Sequence, residues 1–133
     1  MTHVIDASVA SKWVLPEPDS DRAAALRSAE PDLIAPSLVA AEIGNAVWKA
    51  HRRGDTAAVD AGDMLKVAMA HFSRLVPTEE LAGAALRFAI DLRHPIYDCF
   101  YLALAEREAA TLVTADARLL AAAKKANVKA RPL

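Results

Sequence analysis

Short β-type runs separated by helical stretches constrain this chain more than any other feature. Val4-Ile5, Leu33-Ile34-Ala35, Leu75-Val76 and Leu112-Val113 are each followed by a segment with helical spacing. Strands that alternate with helices build βα units, and such units build a parallel sheet with helices on both faces. The expectation is one α/β domain over residues 1–133, with four to five mainly parallel strands.

The strands are read at Val4-Ile5, Asp32 to Ala35 (closed by Pro36), Leu75-Val76 and Thr111 to Thr114, with an edge strand at Val128 to Ala130. Between them, Val9 to Leu15 reads as a short helix stopped by Pro16 and Pro18, and Ser20 starts a helix to Ala29. Val39, Ile43, Ala46, Val47 and Ala50 keep a helical period from Ser37 to Arg53, which Gly54 ends. Asp55 or Thr56 is expected to cap the next helix, which runs to about Ser73, and Thr78 to cap one reaching Leu92. Further helices are read from Ile96 to Glu106 and from Asp116 to Ala126.

Composition narrows the function classes. With a net charge of −1, the chain lacks the footprint of a protein that coats nucleic acid nonspecifically, although a small basic groove would not show in that total. The single cysteine, Cys99, permits no internal disulfide and lies in an apolar run, so it reads as a small buried hydrophobe. No signal-type N-terminus and no membrane-length apolar stretch is present, so a soluble cytoplasmic protein is expected.

Four carboxylates stand where they could meet. In open α/β sheets ligands bind beyond the carboxyl ends of the strands, and Asp6 and Asp116 both follow strands. Each has a plain alternative: Asp6 as a turn-former, Asp116 as a helix N-cap. Asp98 is harder to explain away, because it lies in an all-round apolar helix, and an ionised carboxylate is not buried without compensation. Glu42 lies mid-helix, where a lone Glu is ordinarily solvated, but Asn45 three residues on shares its face and could hold its rotamer. Ser8 is placed to steady the Asp6 turn. Two carboxylates ~4 Å apart repel by about 4 kcal/mol at an effective dielectric of ~20, so four converging acids call for a cation or raised pKa values. Hard oxygen donors suit Mg²⁺ or Mn²⁺.

Other chemistries find little support. His3, His51, His71 and His94 have no zinc-ligand spacing, no Ser–His–acid triad is evident, and the glycines form no phosphate-cradling loop. A phosphoacceptor domain would want paired acids after the first strand, where this chain has Ala7 and Ser8.

In order, V-I-D-A-S at Val4 to Ser8, A-E-I-G-N at Ala41 to Asn45, Y-D-C-F-Y-L-A-L-A at Tyr97 to Ala105 and T-A-D at Thr114 to Asp116 resemble the PIN-domain nucleases, and among them the VapC-like toxins of toxin–antitoxin pairs. W-V-L-P-E at Trp13 to Glu17 also looks like the segment after the first strand of those toxins. The resemblance implies a Mg²⁺- or Mn²⁺-dependent endoribonuclease with Asp6, Glu42, Asp98 and Asp116 as metal-binding and catalytic acids, and Ser8, Asn45 and Thr114 in support. It further implies a homodimer and a cognate antitoxin whose C-terminal segment blocks the site. Some relatives carry another acid soon after the T-x-D motif. This chain has Ala117-Arg118-Leu119-Leu120 there, so one well-held ion is expected, with a second recruited by the RNA phosphate. The expected chemistry is in-line attack by metal-activated water, leaving 5′-phosphate and 3′-hydroxyl ends. Lys12, Lys49, Arg52, Arg53 and Arg118 are the candidate RNA contacts. The alternative within the family is a non-toxin RNA-processing nuclease, and the presence of all four acids argues against an inactive scaffold.

Overall fold

The computed structural model describes residues 1–133. Its strands are β1 (Thr2–Ile5), β2 (Asp32–Pro36), β3 (Arg74–Val76), β4 (Thr111–Thr114) and β5 (Ala130–Pro132). They form one five-stranded sheet in the order β3-β2-β1-β4-β5, with every pairing parallel. The helices are α1 (Ala7–Ala10), α2 (Ser20–Ala29), α3 (Val39–Arg52), α4 (Ala58–Met69), α5 (Thr78–Leu92), α6 (Ile96–Glu108) and α7 (Ala117–Lys125), and a 3₁₀ turn over Ser11–Trp13 follows α1.

The three central strands, β2, β1 and β4, carry consecutive buried apolar residues for a physical reason. Successive residues point to opposite faces, and Val4, Ile5, Leu33, Ile34, Leu112 and Val113 are all buried, so both faces of the sheet are covered. α6 lies across β1, β2 and β4, and every residue from Cys99 to Ala105 is buried. Trp13 belongs to the core, donating from Nε1 to the Ala23 carbonyl at 3.0 Å and packing against His71 and Phe72.

The strand order fixes where a ligand can bind. From β1 the chain steps outward to β2 and β3, then returns to the opposite side of β1 for β4 and β5. The reversal lies between β1 and β4, and such a switch point opens a crevice beyond the carboxyl ends of those two strands. Asp6 follows β1 there, and Thr114 ends β4 beside it.

Several boundaries differ from expectation. α4 starts at Ala58 with Ala57 in the cap position and neither Asp55 nor Thr56 capping it: Asp55 instead accepts from Arg53 Nε at 3.0 Å, and the Thr56 carbonyl meets His51 Nδ1 at 2.8 Å. It ends at Met69, short of Ser73. Thr78 does not cap α5 either: its hydroxyl pairs with Ser37 Oγ at 2.8 Å and accepts from the Leu38 N–H at 2.9 Å, lacing α5 to the turn after β2. The edge strand starts at Ala130, because Val128 is spent closing α7 through its N–H to the Ala123 carbonyl.

Candidate metal centre

Asp6 is the hub of the carboxyl edge. Its backbone N–H reaches the Val113 carbonyl at 3.2 Å, continuing the β1–β4 ladder one residue past the strand. The residue is 5% exposed, and Oδ2 accepts from Ser8 Oγ at 2.6 Å and Thr114 Oγ1 at 2.8 Å. Both hydroxyls are oriented from behind. Ser8 Oγ accepts from the Ala115 N–H and Thr114 Oγ1 from the Asp116 N–H, each at 3.0 Å. With those acceptor sites filled, each hydroxyl hydrogen is directed at Asp6, which fits an ionised carboxylate there.

Electrostatics oppose that charge. Burial raises the Asp6 pKa, the two hydroxyl bonds pull it down, and Asp98 raises it further. Glu42, on α3, is likewise raised by burial, against the pull of its bond from Tyr101, and then by the charges of Asp6 and Asp98. Asp6, Glu42 and Asp98 therefore feel one another. Neither Asp6 nor Glu42 has a salt bridge to any Lys, Arg or His.

Two partners escaped the sequence reading. Tyr101, with no exposed surface, donates to Glu42 Oε1 at 2.7 Å. His94 Nε2 lies 2.7 Å from Asp98 Oδ2, with the His94 side chain only 10% exposed. Tyr101 was detectable in principle: a phenol three residues after Asp98 in an otherwise apolar helix needs a buried acceptor. Asn45 does not hold Glu42. It is exposed and forms no side-chain hydrogen bond, and Tyr101 has that role instead.

Asp116 stands apart from the other three. It is the N-cap of α7, with Oδ1 accepting from the N–H groups of Arg118 and Leu119 at 2.8 and 3.4 Å. It joins Asp6 only through Thr114. As the side chains stand, no three acids, imidazoles or thiols are drawn close enough to clasp one ion together. The donor chemistry still fits a hard divalent cation. Asp6, Glu42 and Asp98 present carboxylate oxygens whose charges act on one another, the first two have no salt bridge to a protein cation, and Mg²⁺ is ordinarily held by one or two carboxylates with water completing its shell.

The basic candidates are dispersed. Lys12 is occupied by Glu17 at 3.1 Å and the Pro18 carbonyl at 3.0 Å. Lys49, Arg52 and Arg53 lie about 10–17 Å along the α3 axis from Glu42. Arg52 stacks 5.0 Å over Trp48, and Arg53 pairs with Asp55. Only Arg118, exposed at the start of α7, follows directly on the carboxyl edge.

Comparison with known proteins agrees with this architecture. Ribonuclease VapC3 of Pyrobaculum aerophilum is 33% identical over 121 residues, covering 90% of this chain and 92% of that protein. The crystal structure of PAE2754 from Pyrobaculum aerophilum matches with a TM-score of 0.71 at 27% identity, over 92% of this chain and 86% of that one. FitAcB from Neisseria gonorrhoeae shares the fold with a TM-score of 0.69 at 18% identity, over 97% and 96% of the two chains. The family model for the PIN domain matches residues 3–125, a span that takes in Asp6, Glu42, Asp98 and Asp116, and the chain belongs to the PIN domain family.

Proposed function

We propose that this chain is a Mg²⁺- or Mn²⁺-dependent endoribonuclease, the toxin of a toxin–antitoxin pair, which works as a homodimer and is restrained by a cognate antitoxin protein. One observation supports the reading: Asp6, beyond the end of β1, and Glu42, on α3, both have pKa values raised by burial first and then by the charge of neighbouring acids, Asp98 acting on both, with no protein cation against either. Membership of the PIN domain family and the likeness to a ribonuclease support it.

The chain's own residues set the stage. Ser8 and Thr114 fix Asp6, Tyr101 fixes Glu42, and His94 fixes Asp98, each through one carboxylate oxygen. The second oxygen of each acid has no side-chain hydrogen bond and is the one offered to an ion. A divalent ion held there supplies charge neutralisation for a phosphate and a more acidic water. Without it, the charges of Asp6, Glu42 and Asp98 would repel an RNA backbone. Asp116 serves by capping α7 and by holding Thr114 through its backbone N–H, a supporting place beside the three.

The test is cleavage of defined RNAs by the purified chain with Mg²⁺ or Mn²⁺, and the same assay on Asp98→Asn. Expected are internal cuts with 5′-phosphate ends, abolished by chelator and by the substitution. Metal-independent cleavage, or full activity in Asp98→Asn, contradicts the reading. Growth arrest on expression, relieved by co-expression of the neighbouring gene, tests the toxin half. Cleavage without growth arrest favours an RNA-processing nuclease.

A further inference from the structure

One flank of the molecule carries cationic side chains and no acidic ones. Residues 117–133 form α7, the turn after it and β5, and they hold Arg118, Lys124, Lys125, Lys129 and Arg131. Residues 1–116 hold all 17 acids against eleven Lys and Arg, a net of −6. Each of the five cations is exposed, and none forms a salt bridge. Elsewhere Lys12, Arg22, Arg53, Arg74, Arg87 and Arg107 all stand against carboxylates.

Local structure accounts for only part of this. Lys124 and Lys125 stand in the last turn of α7, where the helix dipole favours a cation. Arg118 stands in the first turn, where the dipole disfavours one, and Lys129 and Arg131 are off the helix. The unit also leaves the carboxyl edge of the sheet and returns to it. Asp116 caps α7 and donates its N–H to Thr114 Oγ1, Arg131 is in register with Val113, and the Leu133 N–H reaches the Thr114 carbonyl at 3.2 Å. Arg118 and Lys125 lie within about 20° of each other around α7 and about 10 Å apart along it.

Exposed cations with no carboxylate among them suit a polyanion, and the composition favours nucleic acid over protein. Residues 117–133 contain no aromatic residue, and lysine supplies more of the cations than arginine does. Protein interfaces are rich in aromatics and poor in lysine, whereas Lys and Arg contacts to phosphates bind nucleic acid by charge alone. The acids Asp6, Glu42 and Asp98 repel such a backbone, so attraction has to come from beside them. We propose that the α7–β5 flank holds the phosphate backbone of RNA as the strand enters the metal centre, with Arg118 nearest the reacting end. With no ring for a base to stack on, the flank supplies affinity and not sequence choice. The inference rests on the RNA substrate of the proposed function.

The test is anisotropy of a fluorescein-labelled single-stranded RNA of mixed sequence, titrated with the full chain in chelator at several salt concentrations. Steady-state cleavage of the same RNA in Mg²⁺ accompanies it. The triple variant Lys124→Gln, Lys125→Gln, Lys129→Gln should bind on the order of tenfold more weakly, with the slope of log affinity against log salt flattened by about 2, each lost phosphate contact being worth about 0.7. Its KM should rise about tenfold at unchanged kcat, the mark of binding shared by substrate and transition state. Lys129→Gln alone, off the helix, should flatten the slope by about 0.7. Lys49→Gln with Lys66→Gln removes two exposed cations of α3 and α4 that have no salt bridge, and should leave affinity and KM within about twofold, since cations that touch no phosphate release no counterions. Circular dichroism checks that each variant is folded. A wild-type chain that neither binds nor cleaves the RNA overturns the nuclease reading and the flank together. Binding or cleavage by wild type that the triple variant matches in salt slope and KM overturns the flank alone. So does tighter binding of poly-glutamate than of RNA at equal charge, which would make the flank a protein contact.

Discussion

Tyr101 donates its phenolic hydrogen to Glu42 Oε1 at 2.7 Å and so ties α6 to α3 with a side chain that has no exposed surface. The phenol pKa is driven well above its ordinary value, first by burial and then by the Glu42 charge, so Tyr101 remains a donor. Removing the hydroxyl leaves a half-buried carboxylate short of a donor. Tyr101→Phe should lower stability by about 1–3 kcal/mol, the range for a lost hydrogen bond to a charged group. Urea unfolding checks it, and an unchanged midpoint would show that the bond contributes nothing.

Asp6 should make metal-free stability depend on pH in a definite direction. Its native pKa is raised, so between the ordinary carboxylate value and the raised one the native state binds more protons than the unfolded state. Stability contributed by this group is therefore full at low pH and is lost as pH rises through that window. Asp6→Asn removes the penalty. In chelator at pH 7 it should be more stable than wild type by about 0.5–2 kcal/mol, the usual size of a single stabilising substitution. The difference should shrink toward pH 4. A variant less stable than wild type at neutral pH would contradict this.

Gly54 ends α3 with φ +85°, where the Gly54 and Asp55 N–H groups return to the His51 and Ala50 carbonyls at 2.9 Å each. That pattern satisfies the last carbonyls of the helix and requires a left-handed residue. No atom would obstruct a Cβ at this position, so the cost of Gly54→Ala is conformational alone. A loss of about 1 kcal/mol in denaturant unfolding is expected.

Cys99 should be inert in the folded chain. The thiol is fully buried, and burial followed by the Asp98 charge pushes its pKa up to about 11. A disulfide-exchange reagent at pH 8 should label it only when the chain unfolds, because the thiolate is the reactive form. Rapid labelling without denaturant would mean that α6 opens readily.

The sequence revealed what is encoded locally. Val4-Ile5 with Asp6, or Thr111 to Thr114 with Asp116, is a strand and its ending within a few residues, and the strand count then places both acids on one edge. Pairings across the chain were not legible. Glu42 and Tyr101 are 59 positions apart, and Asn45 stood closer in sequence but faces solvent. The cap of α4 failed for the same reason, since what Asp55 bonds depends on where Arg53 turns. Asp116 follows β4 at the carboxyl edge as expected, and its Oδ1 caps α7, so its local role was legible in the sequence as well.

The most direct measurement is anomalous diffraction from a crystal soaked in manganese, collected on the wild type and on Asp98→Asn. A peak among the carboxylate oxygens of Asp6, Glu42 and Asp98, weakened or lost in the variant, is the predicted result. A peak elsewhere on the molecule, or one unchanged in Asp98→Asn, would contradict the assignment of these acids to a metal centre.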